Sequence, residues 1–101
     1  MQFFKTSVFT KLIKDDEYLE LQRELLINPL AGVLIRNSGG LRKLRWAVET
    51  KGKSGGIRVI KYYVTSDEQI FMLVAYKKGK KDDLTDKERA ALRKLVREEL
   101  L

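Results

Sequence analysis

The sequence predicts an α+β fold: a small antiparallel β-sheet with N-terminal helices and a C-terminal helix packed on it. Three observations predict it. Ile57–Thr65 and Ile70–Tyr76 are rich in β-branched and aromatic residues and are joined by the polar turn Ser66-Asp67-Glu68-Gln69, the pattern of an antiparallel hairpin. Apolar residues recur at helical spacing before residue 28. Thr85-Asp86-Lys87-Glu88 has the spacing of a capping box ahead of a last apolar stripe.

Taken in order, Gln2–Lys5 predicts a short first strand. Phe9, Leu12 and Ile13 fall at i, i+3 and i+4, which predicts a short helix. A second helix follows, capped by Asp15 or Asp16, with Asp15-Asp16-Glu17 favourable at its positive end. Tyr18, Leu21 and Leu25 form its buried stripe, supported by Leu26. Asn28-Pro29 ends it, because the residue before proline is pushed out of the α region. Leu30–Ser38 reads as a loop with apolar anchors.

Gly40–Val48 predicts a strand with Leu44, Trp46 and Val48 on one face and Lys43, Arg45 and Ala47 on the other. Glu49–Gly56 is a polar, Gly-rich connection. Ile57–Thr65 and Ile70–Tyr76 supply the remaining strands, the second apolar at nearly every position as a central strand would be. Lys77–Asp83 reads as a loop. A final helix buries Ala91, Leu92, Leu95 and Val96. The predicted order is β-α-α-β-β-β-α.

The 101 residues make one domain, 1–101, with 44% hydrophobic and 35% charged residues. The absence of Cys removes disulfides, thiolate catalysis and cysteine zinc sites and suits a reducing cytoplasm. The absence of His removes imidazole acid–base pairs and histidine metal ligands. Chemistry must come from Lys, Arg, Tyr, Ser/Thr or carboxylates. The start of the chain does not resemble a signal peptide, and no apolar run approaches the ~20 residues of a membrane span, so a cytoplasmic location is expected.

Charge is concentrated in the middle. Residues 36–81 hold twelve Lys/Arg and three Asp/Glu, a net of +9, while each flank sums to −1. Lys43 and Arg45 share a strand face, Lys51 and Lys53 sit in the next loop, and Arg58 enters the following strand. If these strands are neighbours, the five cations approach one surface suited to polyphosphate. A solvated basic face is the simpler reading of the same residues. Arg58 follows Gly55-Gly56 at the start of an apolar strand, where an arginine serves either as an ion-pair member or as a fixed bidentate phosphate ligand. Tyr76 precedes Lys77-Lys78 and could stack on an RNA base at the mouth of a basic groove. Tyr62 and Tyr63 read as core. Asp15-Asp16-Glu17 and Asp82-Asp83 are explained by helix capping and dipole compensation rather than by a metal. No cofactor motif is present.

Three runs together resemble a known family: Gly39-Gly40-Leu41-Arg42-Lys43-Leu44-Arg45, then Lys51-Gly52-Lys53-Ser54-Gly55-Gly56-Ile57-Arg58-Val59-Ile60-Lys61-Tyr62-Tyr63, then Tyr76-Lys77-Lys78-Gly79-Lys80-Lys81-Asp82-Asp83-Leu84-Thr85. The chain resembles the RelE superfamily, most closely its HigB-like branch of type II toxin–antitoxin toxins. The resemblance implies a compact RelE-like fold and a metal-independent endoribonuclease that enters the ribosomal decoding site and cuts mRNA. It implies a cognate antitoxin that neutralises it and, through that antitoxin, contact with operator DNA; no membrane partner is implied. Arg58, Lys53, Lys51 and Lys78 are the candidate catalytic residues, and Lys43, Arg45, Tyr76, Lys80 and Lys81 the candidate RNA-binding residues. Gly79 stands where many relatives carry a second arginine, and Thr85 near where some carry a tyrosine.

Cleavage of RNA needs a base for the 2′-hydroxyl, a stabiliser for the phosphorane and an acid for the 5′-oxygen. Crowded lysines repel one another and so make a neutral lysine base possible; Arg58 is the natural stabiliser. Two other readings compete: a non-catalytic RNA- or DNA-binding module, and a regulatory subunit for an acidic partner.

Overall fold

The computed structural model describes residues 1–46, 56–77 and 83–100. Its elements are β1 (Gln2–Lys5), α1 (Ser7–Thr10), α2 (Asp15–Ile27), β2 (Val33–Leu34), β3 (Arg42–Trp46), β4 (Ile57–Val64), β5 (Gln69–Lys77) and α3 (Asp86–Leu95), which runs into a π-helical turn at Val96–Leu100. They form one five-stranded sheet, order β1-β5-β4-β3-β2.

The α+β class and nearly every predicted element are present, with two corrections to the sheet. It is mixed rather than antiparallel: β3, β4 and β5 meander, but β1 lies parallel to β5. The chain between β1 and the rest of the sheet contains two helices, long enough for the crossover that parallel pairing needs. The segment read as a loop, Leu30–Ser38, contains β2, whose two residues pair antiparallel with Lys43 and Arg42. A two-residue strand is too short for periodicity to reveal.

Side chains alternate between two packed faces. On one face, Leu44, Trp46, Ile57, Val59, Ile70, Met72 and Ala75 meet Phe9 and Ile13 and the α2 stripe Tyr18, Leu21 and Leu25. On the other, Leu41, Ile60, Leu73 and Tyr76 meet Leu84, Val96 and, half-buried, Leu92 and Leu95. Leu26 and Ala91, expected to be buried, are exposed. The cap of α2 is also shifted. Lys14, not an aspartate, is its N-cap, and the Glu17 carboxylate accepts from the Lys14 amide at 3.1 Å. The capping box of α3 forms as predicted, with Glu88 N–H donating to Thr85 Oγ1 at 3.1 Å and Thr85 N–H to Glu88 Oε1 at 2.9 Å.

One irregularity sets which residues face the basic surface. From Val64 back to Lys61, β4 pairs with Gln69 to Met72; beyond that, Ile60 pairs with Val74. Leu73 is therefore the extra residue of a β-bulge in β5, and Leu73 and Val74 both join the α3 face. The carbonyl of Leu73 accepts the Thr6 hydroxyl at 2.7 Å, and Thr6 Oγ1 in turn accepts from the Phe9 amide at the start of α1. Beyond the bulge the alternation is reset, and Tyr76 lies opposite Arg58.

Lys61 is fully buried on the α2 face, and its Nζ donates to the Pro29 carbonyl at 2.8 Å. Burial lowers its pKa to about 8, with Arg42 adding repulsion. The unfolded chain keeps the proton up to about 10.5. Between those values the unfolded state binds more protons, so this group makes stability rise with pH. The difference in stability between wild type and Lys61→Met should therefore change steadily from about pH 8 to 10.5 in the wild type's favour, and stay flat below pH 7; urea melts across that range measure it.

Gly32 has φ +105°, and a Cβ there would stand 2.8 Å from the Lys43 carbonyl oxygen. Gly32→Ala should cost about 1–3 kcal/mol by strain at β2, seen as a lower midpoint in a denaturant melt.

Candidate functional site

Arg58 is the second residue of β4 and sits between Arg45 of β3 and Tyr76 of β5 in register. Directly opposite residues in an antiparallel pair share a face, with Cβ atoms about 4.5–5.5 Å apart. The row Arg45–Arg58–Tyr76 therefore crosses three strands on the face that α3 covers farther along. Lys43, two residues before Arg45, shares the face and lies opposite Ile60.

The electrostatics of this row are unbalanced. Arg58 is only 8% exposed, and among the described residues its Nη1 is fully covered with no hydrogen-bond partner. A buried guanidinium nitrogen left without an acceptor is costly. Arg45 stands opposite it with the same sign, and like charges in facing positions repel. Lys43 is the compensated member: its Nζ lies 3.4 Å from Asp83 Oδ1. A tetrahedral anion over the Arg45–Arg58 pair would meet both deficits, since guanidinium donors match phosphate oxygens.

The predicted site residues divide into two sets. Arg58, Arg45, Lys43 and Tyr76 are brought to one face. Lys51, Lys53, Lys78, Lys80 and Lys81 lie outside the described residues. Arg58 is buried rather than laid out on an open basic face. It lies in the row between Arg45 and Tyr76, and its burial depends on three-strand packing. Tyr76 is 8% exposed and belongs to the core cluster with Leu41, Ile60 and Leu84, so it forms a wall of the site and offers little open ring for stacking.

Two charged features were not foreseen. Asp83 reaches Lys43 and also accepts from the Leu84 amide at 2.9 Å. Arg89, Arg93 and Arg97 line a groove with Asn37; their i, i+4, i+8 spacing was legible but hidden by the carboxylates around them. The Asp15-Asp16-Glu17 cluster lies in the first turn of α2 rather than at its cap, with Glu17 N–H donating to Asp16 Oδ1 at 3.0 Å and Asp15 near Lys5 at 3.6 Å. Among the described residues no group of three or more carboxylates converges as a metal site, and no helix is long and apolar enough to cross a membrane.

The sequence model for the RelE toxin of the RelE/RelB toxin–antitoxin system matches residues 1–100. The chain belongs to the RelE toxin family. The mixed sheet with helices on both faces agrees with that assignment, and membership makes this chain a toxin with an antitoxin as its partner.

Because Arg58 is buried without a full set of acceptors among the described residues, an apolar side chain of similar length should fit its place at no cost to the fold. Arg58→Met is expected to keep the wild-type melting temperature or to raise stability by about 1 kcal/mol. A circular-dichroism melt decides it; a large drop would show that Arg58 is a structural ion-pair member.

Proposed function

We propose that this RelE-family toxin is a ribosome-dependent mRNA endoribonuclease of the HigB-like branch, metal-independent, and neutralised by its cognate antitoxin. The observation that carries the reading is Arg58: a buried guanidinium facing a second arginine, with one nitrogen lacking an acceptor among the described residues. A fold tolerates such a group where a ligand completes it, and phosphate is the ligand that arginine pairs fit best.

In the chemistry this supports, the ribose 2′-oxygen attacks the adjacent phosphorus and the bond from phosphorus to the 5′-oxygen breaks. The products are a 2′,3′-cyclic phosphate and a 5′-hydroxyl. Arg58 stabilises the charge that builds on the phosphorane oxygens, with its head held by the rigid strand. Arg45 and Lys43 hold the flanking backbone. Lys51, Lys53 and Lys78 are the proposed proton carriers, and Lys80 and Lys81 further backbone contacts; all five are assigned from the family resemblance. Tyr76 acts as a wall that keeps the Arg58 stem in place. With no histidine available, the rate should depend on a ribosome that orders the substrate.

Arg58→Ala is expected to lower mRNA cleavage on ribosomes by about 10²–10³, with Arg58→Lys recovering only part of it because an ammonium lacks bidentate geometry. Growth arrest on expression of the chain alone, relieved by co-expression of the adjacent reading frame, should disappear in Arg58→Ala. Normal cleavage by a folded Arg58→Ala protein would remove the catalytic assignment and leave a non-catalytic RNA-binding module as the reading.

A further inference from the structure

Away from Arg58, α3 and the β2–β3 turn enclose an open groove of about 380 Å³ lined by Asn37, Asp86, Arg89, Ala90, Arg93 and Arg97. Arg89, Arg93 and Arg97 follow at i, i+4 and i+8, so successive guanidinium stems rise by about 6 Å along the helix. Arg89 is tied to Asp86 at 2.6 Å. Arg93 and Arg97 are exposed and form no ion pair among the described residues. The turn is shaped around one of them. Gly39 has φ +77°, and a Cβ there would come within 3.3 Å of Arg93 Cγ, so the glycine lets the backbone lie against the arginine stem. Asn37, also at positive φ (57°), lines the opposite wall.

We propose that this groove is a second RNA-binding site, in which Arg93 and Arg97, with Arg89 beside them, grip the phosphate backbone of structured RNA and orient the toxin. The proposal rests on the reading of this chain as an RNA-directed toxin. The groove is lined by Asn37, ahead of β3, and Arg45 is the fourth residue of β3, so the strand from its first residue to Arg45 alone spans roughly 10 Å. Two cationic sites that far apart on one molecule cannot serve a single phosphate. They fit an RNA surface that is gripped at one place and cut at another.

The chemistry of the lining favours RNA over protein. Among the described residues lining the groove Ala90 is the only apolar one, so they offer a protein segment no apolar anchor. Large exposed apolar side chains gather elsewhere, at Leu26, Ile27, Leu30, Val33 and Leu34. An arginine row with one carboxylate is instead the footprint of a phosphate backbone, contacted without base readout.

The test is equilibrium binding of full-length toxin to vacant 70S ribosomes and, in a second arm, to a fluorescein-labelled single-stranded 12-nucleotide RNA, each over a salt series. Arg93→Gln/Arg97→Gln keeps the aliphatic stem against Gly39 and removes both charges. Lys11→Gln/Arg23→Gln, on the opposite side of the sheet, removes the same charge as a control, and melts verify that every variant is folded. The groove variant should bind about tenfold or more weakly at moderate salt. Its slope of log K against log[salt] should shrink by about 1.4–1.8, the value for two contacts, while the control stays within about twofold of wild type. A loss confined to ribosomes assigns ribosomal RNA as the ligand, and a loss in both arms assigns any RNA backbone; both support the site. Wild-type affinity and slope in the folded groove variant would overturn it, and if that variant also failed to bind the protein of the adjacent reading frame, the groove would be a protein interface. Failure of the wild type to bind RNA in either arm would overturn the functional reading itself and this site with it.

Discussion

The register of β4 between β3 and β5 is the constraint on which the rest depends. A slip by one residue would turn every β4 side chain to the opposite face, exchanging Arg58 with Val59 and Ile60 with Lys61. Burial on both faces resists that slip, because Val59 and Ile60 are each fully buried in different clusters. The extra residue Leu73 then adjusts β5 to this frame. Without it, Tyr76 would lie opposite Ile57 and turn toward α2. The bulge carbonyl is held by Thr6, so the first helix of the chain helps fix which aromatic side chain stands beside Arg58.

Two buried cations of β4 show how the same fold treats charge in two ways. Lys61 reaches the Pro29 carbonyl at 2.8 Å, and burial pushes its pKa down to about 8. Its ammonium joins β4 to the chain leaving α2, a structural use. Arg58, three residues earlier and on the opposite face, leaves Nη1 without an acceptor among the described residues. A lysine can respond to burial by releasing a proton, whereas an arginine cannot. The residue type alone therefore separates a tether from a site that needs an anion.

Local signals were legible where the physics is local. The Thr85–Glu88 capping box, the break at Asn28-Pro29, the α2 stripe Tyr18-Leu21-Leu25 and the hairpin of β4 and β5 each depend on neighbours a few residues away. The misses are non-local. Leu26 falls at the edge of the helical stripe and is exposed, since which flank of a helix meets the sheet is set by packing. β2 exists only because β3 offers a pairing edge. The basic middle of the chain pointed to polyphosphate, yet the arginines of α3 escaped it, since charge summed over residues 82–101 is −1 while the groove gathers Arg89, Arg93 and Arg97 on one flank.

The sequence by itself determined the α+β class, the element order apart from β2, the exclusion of Cys and His chemistry, and the resemblance that membership of the RelE toxin family bears out. The first three follow from composition, periodicity and residue spacing, and the last from the likeness of three runs to a known family. Only the tertiary structure decided that β1 runs parallel to β5, that Arg58 is buried opposite Arg45 with Tyr76 as its wall, and that a bulge at Leu73 makes this arrangement possible. The physical reason is that register and burial are set by packing between residues distant in sequence. A run such as Ile70–Tyr76, apolar at nearly every position, carries no alternation from which the faces could be told.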